Sequence, residues 1–450
     1  MGKLSIVLFI INGLCSLNSF ASPHILPNMV HEKVLKNGLK ILVKEDRRAP
    51  VVVSQIWYKV GASYEHDGIT GLSHVLEHMM FQGTDNLEPG EFSKIIAENG
   101  GRENAFTGAD YTAYFQTMEA SRLEVSMKLE AERMQNLKLQ EKEFEKELQV
   151  VMEERRLRTE DKPQGQTYEY FKALAYTSSP YRNPIIGWMQ DLKDMKVDDL
   201  AAWYKQWYSP NNATLVIVGD VQSEQVFNLA EKYFGPIPAV AFEPVKKRIE
   251  VPQVGVRRGI VKQNAKVPYL LMGFKVPVLN SVEDDTDVYA LEVLSGVLSG
   301  GSSARLPSNI VRGSQVASSA SAGYDMNARL PTLFLFDGTP AQGNSVQQLE
   351  EALLQQIKLL QMDLVTQKEL DRIKAQVIAS SVYEKDSNFY QAMQLGMLET
   401  VGVGWQKADE YVEKIKAVTA EQVRNAAKKY LNEDHLTVVH MMSQGGLDEN

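Results

Sequence analysis

The order of a helix-like run followed by an apolar strand-like run occurs twice in the chain, and this repetition constrains the fold more than any other feature. The first helix-like run begins at Leu200 and leads into a strand-like run around Leu215. The second includes Val423 and leads in the same way into a run that begins at Leu436. The number of residues between Leu200 and Val423 is nearly the same as the number between Leu215 and Leu436. Since 450 residues are too many for one ordinary core, the repetition predicts two related domains.

Each half is predicted to open with strands, continue into helices and end with a strand. The opening strands are expected at 39–43 and 51–60 in the first half, and at 259–262 and 269–274 in the second. Elements mixed in this way favour an α+β fold in which helices pack on mainly antiparallel sheets. A Pro-rich passage separates the halves, so we predict a domain at 22–240, a linker at 241–254 and a second, homologous domain at 255–450.

The first half contains His74-Val-Leu-Glu-His78, an H-x-x-E-H motif. On a helix, residues four apart project from one face, so the two imidazoles can converge on one metal ion. The flanking turn and the Gln82-Gly83 break predict a helix of about three turns. Two histidines at this spacing are usually an ordinary surface or core pair. Because the chain has only seven histidines and Glu77 lies between these two, we favour a zinc hydrolase site.

A third ligand is required, and two glutamates downstream are candidates. Glu147 and Glu154 lie in a charged, strongly helical region from about Ala120 to Asp161. They are two helical turns apart, so they share one face of a helix. A run of charges is most often a solvated face. The spacing alone therefore leaves the third ligand open.

Taken together, these segments resemble the pitrilysin family, which includes insulin-degrading enzyme and the mitochondrial processing peptidases. The resemblance runs from about residue 30 to 442 and is carried by four segments, at 74–78, 81–84, 104–107 and 147–154. It implies one zinc ion per chain, bound by His74, His78 and Glu154, with Glu147 as a supporting carboxylate of the catalytic site. It also implies two homologous α+β domains that enclose a peptide chamber.

The chemistry expected of such a site is peptide hydrolysis. Zinc lowers the pKa of a bound water from ~15.7 towards ~7. Glu77, which is not a ligand, would then act as general base and later return the proton to the leaving amine. We therefore predict a zinc metalloendopeptidase that acts on extended or unfolded peptides.

A β-prone stretch at 104–115 is the candidate substrate-binding strand. Its ordinary interpretation is a strand buried against the core. In the family that it resembles, the matching strand lies at a sheet edge and pairs with the substrate backbone, which explains recognition with limited side-chain preference. The resemblance therefore implies that Asn104, Ala105 and Phe106 bind substrate.

The second half has no counterpart of the metal motif, since the segment 291–298 contains no histidine. Many family members supply an arginine and, seven residues later, a tyrosine from this half to bind the peptide and stabilise the transition state. Arg312 matches the arginine, but Ser319 stands in place of the tyrosine. Loss of one such donor can cost roughly 100–1,000-fold in rate. We therefore expect a homodimer, or a heterodimer with a metal-free homologous subunit that supplies the arginine–tyrosine pair.

Two other functions fit parts of the sequence. A non-catalytic scaffold or assembly subunit is one alternative, although relatives of that kind typically lack the full metal motif. A structural zinc protein is another, but structural sites normally fill all four ligand positions, whereas Glu77 is left free for catalysis.

The segment 1–21 is typical of a secretory signal peptide: Lys3 precedes an apolar run, and a small-x-small site ends at Ala21. Cleavage there would remove Cys15, the single cysteine, and we expect a periplasmic protein. No later apolar run is long enough to span a membrane. The net charge of −9 without a basic cluster argues against nucleic acid as a partner.

Overall fold

The computed structural model describes residues 29–242, 246 and 248–443; the predicted signal segment 1–21 lies outside them. The strands of the first half are β1 (Val30–Val34), β2 (Lys40–Glu45), β3 (Val51–Tyr58), β4 (Arg102–Thr107), β5 (Thr112–Glu119) and β6 (Ala213–Gly219). Its helices are α1 (Leu72–Met79), α2 (Glu91–Glu98), α3 (Leu123–Asn136), α4 (Glu141–Arg155), α5 (Pro163–Ala175), α6 (Met189–Asp194), α7 (Val197–Trp207) and α8 (Ser223–Tyr233).

The second half repeats this plan. Its strands are β7 (Arg257–Gln263), β8 (Tyr269–Val276), β9 (Ala317–Gly323), β10 (Thr332–Pro340) and β11 (Leu436–Ser443). Its helices are α9 (Thr286–Ser299), α10 (Val346–Met362), α11 (Gln367–Glu384), α12 (Asn388–Val401), α13 (Lys407–Ala417) and α14 (Ala420–Tyr430). Within the described ranges, no helix is long and apolar enough to cross a bilayer.

Both sheets are mainly antiparallel, and their strand orders correspond. The first sheet has the order β1-β2-β6-β3-β5-β4, and the second has the order β7-β11-β8-β10-β9. Each sheet contains one parallel pair that includes the last strand of its half. In the first sheet β6 lies parallel to β2, and in the second β11 lies parallel to β7. The predicted two-domain α+β fold is thus confirmed, and β4 lies at an edge of its sheet.

The central strand β6 is buried on both faces, which explains its unbroken apolar sequence. Because side chains alternate along a strand, Leu215 and Ile217 face the main core of the first half. Val216 and Val218 face the opposite side, where they pack with Leu395 of α12. A helix from the second half therefore covers the outer face of the first sheet.

In the same way, a helix from the first half covers one face of the second sheet. Phe171 and Ala175 of α5 pack with Leu271 and Val439 of the second sheet. Gly273 makes room for this helix, because a Cβ there would lie 2.7 Å from the Phe171 ring. The two halves are thus joined because each covers a sheet of the other with one helix. Helix α5, which follows α4 and its Glu154 in the chain, contacts both halves.

The charged region expected to be helical from Ala120 to Asp161 is divided in the structure. Helix α3 ends at Asn136 and α4 begins at Glu141. The break is held by tertiary contacts: Leu137 pairs with Thr84 in an isolated bridge, and its N–H donates to the Tyr204 hydroxyl at 3.2 Å. Long-range hydrogen bonds therefore override the local preference for one continuous helix.

A buried polar cluster joins the halves beside the β4–β5 turn. Asp110 accepts hydrogen bonds from the hydroxyls of Ser63, at 2.6 Å, and Tyr181. From the second half, Arg329 donates to Asp110 through its backbone N–H at 3.0 Å and through Nε at 3.1 Å. Because Asp110 is buried, these hydrogen bonds compensate for its desolvation and hold the two halves together next to β4.

Candidate metal centre

The ligand-bearing helix α1 begins at a fixed point in the fold. Gly71, its N-cap, has a left-handed backbone with φ of 88°, which favours glycine. The buried carboxylate of Glu65 accepts the N–H groups of Gly71, at 2.8 Å, and Ser73, at 2.7 Å. These are N–H groups that a helix leaves unpaired at its start. Burial outweighs these hydrogen bonds and raises the pKa of Glu65 to about 7.

The preceding turn is held by a second carboxylate and by close backbone packing. Asp191 accepts from the hydroxyl of Thr70 at 2.5 Å and from its N–H at 3.2 Å. A Cβ on Gly71 would lie 2.6 Å from the carbonyl oxygen of Ile186. No larger residue fits here, and the start of α1 is thereby set against the loop that leads into α6.

Helix α1 itself is eight residues long, shorter than the three turns predicted. Beyond Met79 the chain continues in a turn in which each N–H bonds to the carbonyl three residues earlier. The N–H of Phe81 donates to the His78 carbonyl, and the N–H of Gln82 donates to the Met79 carbonyl. The turn ends at the Gln82-Gly83 break, as the sequence indicated.

His74, His78 and Glu154 converge on one point. One potential ligand atom from each lies within 4.8 Å of the others. The Nε2 atom of His74 is 3.8 Å from Oε1 of Glu154, and the Nε2 atom of His78 is 3.5 Å from its Oε2. In the part of the chain that the structure describes, this is the one group of three or more histidine, cysteine or acidic side chains so arranged.

The protonation of the two histidines differs because their surroundings differ. Burial, together with the charges of His78 and Arg158, lowers the pKa of His74 to about 3, so its imidazole is neutral, as a metal ligand must be. Burial also lowers the pKa of His78, but a hydrogen bond with Glu147 and the charges of nearby glutamates more than offset this and raise its pKa above the usual value.

Glu147 supports His78 from the side away from the metal-binding point. Its Oε2 lies 3.1 Å from Nδ1 of His78, and its Oε1 accepts from Nε2 of Gln82 at 2.9 Å. A carboxylate in this place fixes the orientation of a ligand imidazole and makes it more basic. The geometry therefore matches the supporting position that the family resemblance implies for Glu147.

Glu77 lies in the same cavity as the three ligands but is held by a different partner. The hydroxyl of Thr107, at the end of β4, donates to Oε2 of Glu77 at 2.5 Å. Burial raises the pKa of Glu77 above its usual value, although this hydrogen bond opposes the rise. A carboxylate with a raised pKa and one oxygen free is suited to accept a proton near neutral pH.

The ligands open onto a cavity of about 730 Å³ that is also lined by the edge strand. Asn104, Ala105 and Phe106 all line this cavity, so the structure brings the predicted substrate residues to the predicted metal site. Arg312 is not among the lining residues: its guanidinium donates to the Ser302 carbonyl at 2.5 Å and to the Ser308 hydroxyl at 2.9 Å. Its predicted role in substrate binding stays a prediction.

The helix of the second half that follows its central strand lacks the metal motif. Ile56 and Phe274 occupy equivalent positions in the two sheets, since they pair with equivalent final strands. The helix that follows Phe274 in the chain, α9, contains Glu292 and Gly296 and no histidine. A Cβ on Gly296 would lie 3.0 Å from the side chain of Ile373. Helix α9 therefore packs closely against α11 at this position.

Some residues of the site escaped the sequence analysis. Thr107 stands in a segment that was recognised, but nothing in its spacing shows that it contacts Glu77. Arg158 lies one turn beyond Glu154 and pairs with it at 2.5 Å, a contact that i,i+4 spacing could have indicated. The buried Arg155 pairs with Glu169 of α5 at 2.8 Å and so ties α4 to α5.

Comparison with known proteins gives the family. A family model described as Insulinase (Peptidase family M16) matches residues 40–188, and one described as Peptidase M16 inactive domain matches residues 194–377. Zinc protease PqqE of Helicobacter pylori is 35% identical over 363 residues, which are 80% of this chain and 81% of that protein. The chain belongs to peptidase family M16.

Other M16 proteins are similar over most of the chain. The uncharacterized zinc protease YmxG of Bacillus subtilis is 26% identical over 407 residues, covering 90% of this chain and 97% of that protein. The crystal structure of a protease from Helicobacter pylori has a TM-score of 0.87 and 31% identity, and it covers 92% of this chain and 100% of that one. The predicted family and fold are thus confirmed, and His74, His78 and Glu154 all lie in the part of the chain that the insulinase description matches.

Proposed function

We propose that this M16 protein is a zinc-dependent endopeptidase that cleaves extended or unfolded peptides. The observation that carries the proposal is the convergence of His74, His78 and Glu154 beside a half-buried Glu77 that is not part of the group. Two imidazole nitrogens and one carboxylate oxygen form the ligand set of hydrolytic zinc sites, which leave a fourth position open. The relatives named zinc proteases support this assignment.

Zinc, when bound, would supply Lewis acidity towards a water molecule and the scissile carbonyl. The chain's own residues handle the proton. Glu77 accepts it on the carboxylate oxygen that Thr107 leaves free, and later delivers it to the leaving amine. Glu147 keeps His78 oriented through Nδ1, so that Nε2 faces the ligand group. Glu65 and Asp191 hold the start of α1 and thereby the position of both histidines.

The edge position of β4 supports a peptide substrate. Among the described residues, the strand pairs with β5 on one side only, so its other side can add a strand of substrate by backbone hydrogen bonding. Residues Asn104 to Phe106 line the metal cavity, which would place the added strand beside Glu77. Recognition through the backbone suits extended chains of varied sequence.

A metal-free homologous subunit is proposed to complete the site, and the alternative is a homodimer that is active without it. Arg312 is engaged by its own segment, and Ser319 lies exposed on β9 without a phenol to offer. A partner that brings an arginine and a tyrosine to the metal cavity would supply the missing stabilisation of the transition state. Dependence of specific activity on protein concentration would indicate the homodimer.

Export to the periplasm is also a proposal, because it depends on the segment 1–21 outside the described residues. Cell fractionation, with N-terminal sequencing of the mature protein, tests it. A new N-terminus at Ser22 in the periplasmic fraction would support the assignment, and retention of Met1 in the cytoplasm would refute it.

The proposed activity is tested with a quenched, unstructured peptide and purified mature protein containing one zinc per chain. Glu77→Gln should keep its zinc and lose cleavage by at least ~100-fold, since the base contributes roughly 100–10,000-fold. His74→Ala should lose the zinc itself. The matched control is Glu98→Gln, which removes the charge of an exposed glutamate on α2. This variant should cleave at the wild-type rate.

Three outcomes separate the candidate functions. Cleavage that disappears in Glu77→Gln establishes the peptidase. Cleavage that appears only after a partner subunit is added establishes the two-subunit form. Absence of cleavage with stoichiometric zinc and with the partner present would refute the peptidase and favour a structural zinc protein or an assembly subunit.

A further inference from the structure

A second, smaller cavity adjoins the metal cavity where the two halves meet. It has a volume of about 240 Å³ and shares Tyr168, Lys172 and Ile185 with the metal cavity. Residues of the second half, including Leu333, complete its wall. A peptide that lies along β4 can therefore send one residue, or its end, towards Lys172 without leaving the cavity that holds the metal ligands.

Lys172 brings a positive charge into this junction without a partner of its own. Among the described residues, no carboxylate forms an ion pair with its ammonium group, and the nearest aromatic contact is the Tyr168 ring, 5.9 Å from Nζ. The other cations at the metal cavity are already paired. Arg158 binds Glu154 at 2.5 Å, and Arg182 binds Asp67 at 2.5 Å.

Two acidic residues influence the charge of Lys172, and both are bound elsewhere, while a third acidic residue of the smaller cavity, Asp325, accepts from the N–H of Asn327 at 2.9 Å. Asp110 is bound to Arg329 at 3.1 Å, and Glu169 is bound to Arg155 at 2.8 Å. Burial lowers the pKa of Lys172 to about 8 despite the charges of these two residues. The amine is therefore mainly protonated at neutral pH and poorly hydrated, so it would gain from an added anion.

We propose that Lys172 binds a carboxylate of the peptide substrate, so that the enzyme prefers peptides that are anionic at the position that reaches this junction. This inference rests on the proposed peptidase function and names a substrate preference within it. The carboxylate can come from an acidic side chain or from the C-terminus of the peptide. Both sources have the same chemistry, and both would form a charge-assisted hydrogen bond with the ammonium group.

The experiment compares two matched series of quenched peptides. One series carries glutamate or glutamine at each position in turn on either side of the scissile bond, and it has an amidated end. The other keeps a neutral sequence and ends in a free carboxylate or an amide at increasing distance from that bond. The wild-type enzyme should favour the anionic member of at least one pair by roughly ten- to a hundredfold in kcat/KM, mainly through KM.

Substitutions at Lys172 should change that ratio. Lys172→Met should bring the anionic-to-neutral ratio to about one, whereas Lys172→Arg should retain a preference above threefold because it keeps the charge. Lys162→Met is the matched control, because Lys162 is an exposed lysine just before α5 that does not line the cavity. It should keep the wild-type ratio.

The preference for glutamate identifies a side-chain site, and the preference for the free end identifies a carboxy-terminal site. The proposal is overturned if the wild type prefers neither anion, or if Lys172→Met keeps the wild-type ratio. Binding of the same peptides to the zinc-loaded Glu77→Gln protein, measured by fluorescence anisotropy, gives the ratio even if no peptide is cleaved. A failure of the peptidase function is thereby distinguished from a failure of the Lys172 site.

Discussion

Glu65 is the residue whose removal best tests how the fold positions the metal ligands. Its carboxylate accepts two N–H groups at the start of α1, at 2.8 and 2.7 Å, and its side chain is buried. Glu65→Ala leaves both groups without an acceptor, and each buried, unpaired N–H costs about 1–3 kcal/mol. Since the substitution also removes the cost of burying a carboxyl, we expect a net loss of about 2–4 kcal/mol in the free energy of unfolding.

The same change should weaken zinc binding, because His74 and His78 lie on the helix that Glu65 holds. We expect the dissociation constant for zinc to rise roughly tenfold, within the range seen when residues that orient ligands are lost. Competition with a chromophoric chelator measures this constant. Urea unfolding followed by tryptophan fluorescence measures the stability, and four of the five tryptophans lie in the first half.

Two variants sharpen the Glu65 experiment. Glu65→Gln keeps one carbonyl oxygen as an acceptor, so it should lose about half as much stability as Glu65→Ala. Glu98→Ala removes an exposed glutamate of α2 and should change neither stability nor zinc affinity. If Glu65→Ala matches the wild type in both measurements, the Glu65 carboxylate does not position α1.

Three further predictions concern other parts of the molecule. Glu147→Gln should raise the dissociation constant for zinc by roughly 10–100-fold, measured by chelator competition, because the histidine that it orients loses a charged partner. Gly396→Ala should destabilise the protein by about 1–3 kcal/mol in urea, since its Cβ would overlap Trp57, whereas Gly323→Ala meets open space and should be neutral. Burial opposes ionisation of Glu250, but hydrogen bonds from Lys275 and from backbone N–H groups lower its pKa to about 2. Its stabilisation is therefore present above pH 4.5 and lost as the pH falls towards 2, and Glu250→Gln should flatten this part of the stability–pH profile.

Local patterns in the sequence were sufficient to predict several elements. The β3 strand, predicted at 51–60, is observed at Val51–Tyr58. The strand predicted at 269–274 is observed at Tyr269–Val276. The four-residue spacing of His74 and His78 was enough to place both on one face of a helix. These predictions succeeded because each depends on contacts between residues that are close in the chain.

Other features could not be read from local patterns. The charged region around 120–161 reads as one helix, yet contacts with Thr84 and Tyr204 divide it. Glu154 lies far beyond His78 in the chain, and spacing alone could not show that it faces the histidines. The family resemblance implied this ligand, and the structure brings its carboxylate to 3.5 Å from His78.

By itself, the sequence determined the duplicated α+β plan and the metal motif, because hydrophobic periodicity and fixed spacing are local properties. The family resemblance, and not periodicity, indicated the candidate substrate strand. Only the tertiary structure decided that α5 packs on the second sheet and α12 on the first. It also decided which carboxylates hold α1 and that Lys172 lines the cavity. These depend on packing between segments far apart in the chain. Burial, which sets the protonation of His74, Glu77 and Lys172, exists only once that packing has formed.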